Sequence, residues 1–152
     1  MATVYSVQKT NWDQTDPSVY IKPNEHAGRV RMSYATYEAS AEQSDIEMFN
    51  IPDGARLLAG EVSYDALGAS TTVSVGYGAH TDSSGSAVSQ DVDAYKAAAA
   101  STSAGTVACL NTLALGKYSV VDADENGLPV SVSIAGANGT GTVSCWIQWV
   151  LD

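Results

Sequence analysis

The alternation of side chains over positions 143–151 constrains the fold of this chain more than any other feature of the sequence. One set of alternate positions is apolar throughout: Val143, Cys145, Ile147, Trp149 and Leu151. The intervening set is mixed: Ser144, Trp146, Gln148 and Val150. Successive side chains of a β-strand point to opposite faces, so the pattern predicts a strand with Val143, Cys145, Ile147 and Trp149 in the core. We expect Trp146 and Val150, on the other face, to contact another protein chain.

Shorter patterns of the same kind predict further strands. The first of these is half-buried, with Val30, Met32 and Tyr34 alternating against polar or small residues. The other predicted strands are Asp45–Ile51, Ala55–Tyr64, Thr71–Tyr77, Thr106–Leu110, Lys117–Val121 and Pro129–Ile134. Turn residues separate them, above all at Pro52-Asp53-Gly54 and from Asp124 to Gly127.

The segment from Asp91 to Ala100 is the one predicted helix. Ser89 or Asp91 can cap it, acidic residues occupy its first turn, and four alanines close it. About eight short strands with one short α-helix indicate an all-β fold, an antiparallel, jelly-roll-like β-sandwich.

Residues 1–27 differ in character from the rest of the chain. They contain two prolines and three scattered aromatic residues without strand or helix periodicity, so we expect an extended N-terminal arm, followed by a β-sandwich domain over residues 28–152. Residues 1–31 carry four basic and three acidic side chains, whereas the whole chain has a net charge of −10. We expect this slightly basic end to contact a neighbouring subunit or another protein partner through Lys9, Trp12, Tyr20, Lys22, Arg29 and Arg31.

The net charge of −10 also limits the classes of partner. It repels phosphate backbones and anionic lipid headgroups, so we expect neither nucleic-acid nor membrane binding. The sequence has no secretory leader pattern and no apolar run near the roughly 20 residues that span a bilayer, which predicts a soluble protein made in a cytoplasm. Cys109 and Cys145 lie far apart, and we interpret them as two reduced core thiols, with a disulfide as the alternative.

The sequence offers little support for catalysis or for a cofactor. His26 and His80 are the only histidines, and both have the surroundings of surface residues. The stretch from Asp122 to Gly127 imitates the start of a calcium loop, but the position of the bidentate glutamate is Ser133. A plain turn is therefore favoured over a weak calcium site. We expect no enzymatic activity and no catalytic, cofactor-binding or metal-ligating residue.

Two stretches, 51–58 (IPDGARLL) and 65–78 (DALGASTTVSVGYG), resemble segments of small structural proteins of tailed-phage virions, the head decoration or cement proteins. The resemblance extends in pattern over residues 28–151. It implies a β-sandwich on the outer surface of the head, synthesised in the host cytoplasm, that stabilises the shell by bridging subunits of the major capsid protein. A homo-oligomer, with a trimer favoured, accompanies this hypothesis. The alternative is a head-fibre or tail component that acts as a carbohydrate-binding module.

Overall fold

The computed structural model describes residues 28–151 of the 152-residue chain, and these residues form ten β-strands and one short 3₁₀ helix at Leu113–Leu115. Eight strands make two four-stranded antiparallel sheets, and two short strands make a separate hairpin. The strands are β1 (Arg31–Glu42), β2 (Asp45–Ile51), β3 (Ala55–Tyr64), β4 (Thr72–Tyr77), β5 (His80–Thr81), β6 (Ala87–Val88), β7 (Asp91–Ala100), β8 (Gly105–Cys109), β9 (Leu128–Ala135) and β10 (Gly139–Leu151).

The two sheets enclose one apolar core between them. The first sheet has the strand order β1-β10-β3-β8 and the second has the order β2-β9-β4-β7, with every pairing antiparallel. Side chains from both sheets belong to a single buried cluster, which includes Val62 and Ile147 from the first sheet and Val75 and Val132 from the second. The predicted all-β sandwich is therefore confirmed.

Strand β10 has the orientation that its alternation predicts. Val143, Cys145 and Ile147 are completely buried, and Trp149 is 8% exposed. The strand lies between β1 and β3, so its backbone is hydrogen-bonded on both sides and its apolar face meets the core. Register is fixed strongly in such a strand, because a slip by one residue would turn the whole apolar set toward solvent.

The predicted helix at Asp91–Ala100 is wrong, because this segment is strand β7. It pairs with β4 through an irregular register, with interruptions between the pairs formed by Val73, Val75 and Tyr77. Alanine has the highest helix propensity, but tertiary contacts readily outweigh propensity, and a helix of ten residues is not stable without such contacts. Pairing with β4 and burial of Tyr95 outweigh that preference.

The predicted strand at Lys117–Val121 is also wrong as a regular strand. The segment follows the 3₁₀ helix and forms one isolated bridge, between Val120 and Arg56. Its backbone still bonds to β3, with the Tyr118 N–H donating to the Leu57 carbonyl at 2.8 Å. Tyr118 has a φ of 66°, in the left-handed region, and this breaks the extended conformation that a regular ladder needs.

Both predicted turns are present. Gly54 follows β2 with a φ of 72°, a conformation that glycine adopts at low cost. In the second turn, the Gly127 N–H donates to the Asp124 carbonyl at 3.0 Å, and the Asp124 carboxylate accepts the Asn126 N–H at 2.8 Å. The two turns connect β2 to β3, and the segment at residues 117–121 to β9, without a long loop.

Candidate interaction surface

The outer face of the first sheet is formed by side chains of four neighbouring strands, β1, β10, β3 and β8. Cross-strand pairs place Tyr34 opposite Trp146, and Trp146 opposite Glu61, all on the side away from the core. We call this surface the outer face. Its members are Met32, Tyr34, Thr36 and Glu38 of β1, Thr142, Ser144, Trp146 and Gln148 of β10, Ala59, Glu61 and Ser63 of β3, and Thr106 and Ala108 of β8.

Large apolar side chains are exposed along the β1 side of this surface. Met32 is 61% exposed and Tyr34 is 60% exposed, while Val30, just before the strand, is 54% exposed. The members of the outer face include two acidic side chains, Glu38 and Glu61, and no basic one. An exposed apolar stripe inside a nearly neutral surface is typical of a contact with another protein.

Several hydroxyl groups of the outer face bond to one another. The Thr36 hydroxyl donates to the Tyr34 oxygen at 2.6 Å and also bonds to the Ser144 hydroxyl at 3.1 Å. Bonding with Thr36, and then with Ser144, lowers the pKa of Tyr34. The Trp146 indole N–H donates to a Glu61 carboxylate oxygen at 3.4 Å, and the Trp146 side chain is half-buried. The side chains are thus held in place before any partner binds, which reduces the entropy lost on binding.

Two of the predicted contact residues, Arg29 and Arg31, lie at the start of β1 and are exposed. The Arg31 guanidinium lies 5.4 Å from the centre of the Trp149 ring, a cation–π geometry. The Trp149 indole N–H donates to the Ser33 hydroxyl at 3.0 Å. The positive charges of Arg29 and Arg31 therefore lie at the same edge of the first sheet as the exposed Val30 and Met32.

The expectation that Val150 is an exposed contact residue is wrong, since Val150 is only 4% exposed. The pairing of β10 with β3 shifts between Gln148 and Trp149, which places Val150 opposite Arg56. A bulge of this kind increases the local twist, and both sides of β10 are covered at this end. Of the two residues predicted on this face, Trp146 alone keeps an exposed surface.

Four other predicted contact residues, Lys9, Trp12, Tyr20 and Lys22, lie outside the described residues, as does the whole predicted arm at residues 1–27. Their role stays a prediction. The exposure of Val30, Met32 and Tyr34 was not predicted from the sequence, because their alternation with polar or small residues indicated a half-buried strand. Small residues on the opposite face of β1, Ser33 and Ala35, are the signal that could have shown which side packs.

The described residues show no constellation that indicates chemistry. Residues 28–151 contain no group of three or more His, Cys, Asp or Glu side chains placed to hold a metal ion. In the stretch that imitates a calcium loop, the Asp124 carboxylate is engaged by the backbone and side chain of Asn126. No helix within the same range is long and apolar enough to cross a membrane.

The two cysteines are buried and unbonded. They lie on β10 and β8, with β3 between them. Contact with the Cys109 thiol, together with burial, raises the pKa of Cys145, so the thiolate that would react is not formed near neutral pH. This agrees with the interpretation of two reduced core thiols.

The chain shares its fold with chains from solved phage capsids. It aligns with a chain of the cyanophage Pam1 capsid asymmetric unit at a TM-score of 0.57, with 19% identity over 84% of this chain and 88% of that chain. A chain of the capsid of Ralstonia phage GP4 gives 0.61 with 18% identity, over 83% and 86% of the two chains. A chain of the acid-stable capsid of Helicobacter pylori bacteriophage KHP30 gives 0.52 with 13% identity, over 80% and 87%.

No protein-family model matches the chain, and no curated protein matches its sequence. The likeness to the capsid chains is therefore one of fold, over most of the length of each chain.

Proposed function

We propose that this chain is a capsid decoration protein that binds the outer surface of a tailed-phage head and stabilises it by bridging subunits of the major capsid protein. One observation carries the proposal: the fold recurs in chains of three phage capsid structures, over at least 80% of this chain in each case. The composition of the surface and the resemblance of residues 51–58 and 65–78 to small virion proteins support the same role.

We propose the major capsid protein as the partner of the outer face. The chain carries a net charge of −10, yet the thirteen side chains of this face include two carboxylates and several neutral hydroxyls. A neutral, preorganised surface can dock against another protein without the cost of burying unpaired charges. Arg29, exposed just before β1, adds a positive group that can pair with acidic residues of the partner, whereas Arg31 lies over the Trp149 ring on the opposite side of β1.

We propose further that the decoration unit is a homo-oligomer, with a trimer favoured, fastened to the shell by residues 1–27. Repeated attachment multiplies weak contacts, because after one subunit binds the next ones bind within the same particle. A protein that binds the assembled shell and not its separated subunits stabilises that shell by mass action. Neither step requires a catalytic residue, so the proposal includes no enzymatic activity.

The experiment that tests the role is copy counting in purified virions by quantitative mass spectrometry. Decoration predicts hundreds of copies per particle, and release of the protein should lower the temperature at which heads lose their DNA. A handful of copies per particle would contradict decoration. It would favour the alternative of a head-fibre or tail component that binds carbohydrate.

A charge placed on the outer face tests the docking surface. Met32→Glu and Tyr34→Glu should each weaken binding to undecorated heads by about tenfold or more, because a carboxylate would be buried without a partner. Ala98→Glu, on exposed β7 of the second sheet, adds the same charge elsewhere and should bind normally. Equal binding by all three variants would show that another surface attaches the protein.

A further inference from the structure

A second feature, distinct from the outer face, is a cavity of about 490 Å³ at the end of the sandwich beside the β5–β6 hairpin. Side chains from β3, β4, β7 and β9 line its base, and the irregular segment at residues 113–122 forms its other wall. Leu113 and Val120, which are 75% and 46% exposed, lie at its margin. We call it the acidic pocket; its polar lining residues are Tyr77, His80, Asp82, Asp91, Tyr95, Ser119 and Asp122.

The charge of the acidic pocket is unbalanced. Three carboxylates line it, from Asp82, Asp91 and Asp122, and no lysine or arginine is among the described residues that do so. Hydrogen bonds from Ser84 and Ser86 lower the pKa of Asp82, and those from Ser83 lower the pKa of Asp122. Both side chains are therefore ionised at neutral pH, and the pocket presents a negative field to any ligand.

Tyr95 provides a second, independent indication of a ligand. It is 5% exposed and lines the acidic pocket, but its hydroxyl has no hydrogen-bond partner among the described residues. Among the side-chain oxygen and nitrogen atoms of residues 28–151, Ser131 Oγ is the one that is unpaired and also inaccessible to solvent. The unpaired Tyr95 hydroxyl is not in this class, so solvent can reach it. The Tyr95 hydroxyl is thus reached through the cavity, where it can donate or accept a hydrogen bond.

The aromatic rings narrow the choice of ligand. The Tyr77 ring lies 5.5 Å from the His80 ring, edge to face, and 5.9 Å from the Tyr95 ring. His80 Nδ1 lies 3.1 Å from the Gly78 carbonyl and is held there. The rings pack against one another, so they do not form the open platform on which a sugar would stack, whereas π-electrons beside carboxylates favour a cation.

We infer that the acidic pocket binds the basic side chain of a protein segment, a lysine ammonium or an arginine guanidinium. The cationic group would donate to the carboxylates of Asp91 and Asp122 and to the Tyr95 oxygen, next to the Tyr77 ring. The aliphatic stem would pass Leu113 and Val120 at the margin. This inference does not depend on the decoration role.

The same chemistry could come from two sources. One is residues 1–27 of this chain or of a second copy, which include Lys9 and Lys22. The other is a lysine or arginine of a separate protein partner. Both sources would place a basic side chain in the same pocket, so the test begins with a small probe and then separates them.

The probe is N-acetyl-arginine methylamide, titrated into the full-length protein and followed by NMR. It should shift the signals of Tyr95 and His80, with a dissociation constant on the order of 1 mM. Its uncharged citrulline analogue should not bind. Asp91→Asn and Asp122→Asn should each weaken binding by about fivefold. Asp93→Asn is the matched control, because Asp93 is an exposed carboxylate on the same strand that does not line the pocket.

Tyr95→Phe separates a binding role from a structural one. Its hydroxyl makes no hydrogen bond with the described residues, so the substitution should leave the unfolding midpoint unchanged or raise it while weakening binding of the probe. Equal binding of the citrulline analogue, equal loss in Asp93→Asn, or shifts outside the pocket would overturn the inference.

The Lys9→Gln, Lys22→Gln double variant distinguishes the sources. If the chain's own lysines occupy the pocket, the probe binds this variant more tightly than the unsubstituted protein. If the affinity is unchanged, the pocket is open to a separate partner. Failure of the probe to bind either protein would overturn the inference, and it would leave copy counting in virions as an independent test of the decoration role.

Discussion

Gly60 shows how closely single residues of the first sheet are packed. It pairs with Ile147 of β10 on one side and with Cys109 of β8 on the other. A Cβ atom at this position would lie 2.7 Å from the Cys109 sulfur and 2.9 Å from both Ile147 Cγ1 and the Trp146 carbonyl oxygen. Glycine is thus required here for space and not for a positive φ. The space above it is where the two thiols approach each other.

Gly60→Ala should therefore lower the free energy of unfolding by about 1–3 kcal/mol, the usual cost of overpacking a core. Urea unfolding measures the loss. Gly105→Ala is the control, because the three atoms nearest to its added methyl group belong to the Tyr64 side chain, at 3.3 to 3.5 Å. A Gly60→Ala protein as stable as the control would show that the sheet yields easily at this point.

Asp82 organises the β5–β6 hairpin through its carboxylate. One oxygen accepts the N–H groups of Ser84 and Ser86 and the Ser84 hydroxyl, at 2.6–2.9 Å. These bonds form with the ionised group, which lowers its pKa from the ordinary 3.8. Because the folded-state pKa is lowered, the bonds stabilise the hairpin fully when the pH is above the pKa of the unfolded state. This stabilisation is lost as the pH falls through the pKa of the folded state.

In an NMR titration we expect the Asp82 carboxyl to titrate below pH 3.8, with loss of amide protection at Ser84 and Ser86 over the same range. Ser84→Ala removes the hydroxyl donor and should move the Asp82 midpoint upward. A midpoint at or above 3.8 in the unsubstituted protein would contradict the hydrogen-bonded geometry.

At the scale of elements, β7 is the strand whose sequence and structure disagree most. Each advance of two residues along β4 is matched by a longer advance along β7: three residues from Ala99 to Lys96 opposite Val73 to Val75, and then five from Lys96 to Asp91 opposite Val75 to Tyr77. The extra residues bulge past Gly76, where a Cβ atom would collide with the Asp91 carbonyl oxygen. β7 is therefore a bulged edge strand, a form that discourages pairing with other chains.

Ala98→Thr tests this element directly, since Ala98 is exposed on β7. A β-branched residue favours an extended strand and disfavours a helix, so the substitution should leave stability unchanged or raise it by about 0.5 kcal/mol. Urea unfolding monitored by tryptophan fluorescence measures the change. If the segment were helical, the same substitution would lower stability by a similar amount.

At the scale of the whole molecule, the described residues 28–151 form ten paired strands, and eight of them build the two sheets that enclose the core. We therefore expect that deleting residues 1–24 leaves thermal unfolding cooperative and near its original midpoint, while binding to undecorated heads is lost. Calorimetry and co-sedimentation with heads measure the two effects. Unchanged binding would contradict attachment through these residues, and failure to fold would show that they belong to the core.

Sequence periodicity predicted most strands because burial of one face leaves a period of two, as in β10 and in Ala55–Tyr64, whose bounds match β3. Periodicity could not establish the secondary structure of β7, because its alanine-rich composition favours a helix and its long-range pairing favours a strand. It also could not tell which face of β1 meets the core, because that depends on the neighbouring strand. The acidic pocket joins residues 77–82, 91–95 and 113–122, which are distant in sequence, and no local pattern signals it.

The position of the two cysteines has a practical consequence for labelling. Cys145 is completely buried and Cys109 is 2% exposed, and they are the only cysteines in the chain. Cys145 lies opposite Val62 of β3 and Cys109 opposite Gly60, so their Cα atoms are more than two strand spacings apart, over roughly 9.5 Å. That distance exceeds the span of a disulfide, so oxidation does not join them without backbone movement. A cysteine introduced at exposed Ala108 on the outer face would then be the single reactive thiol, to which a fluorophore or gold cluster can be attached without replacing either native cysteine.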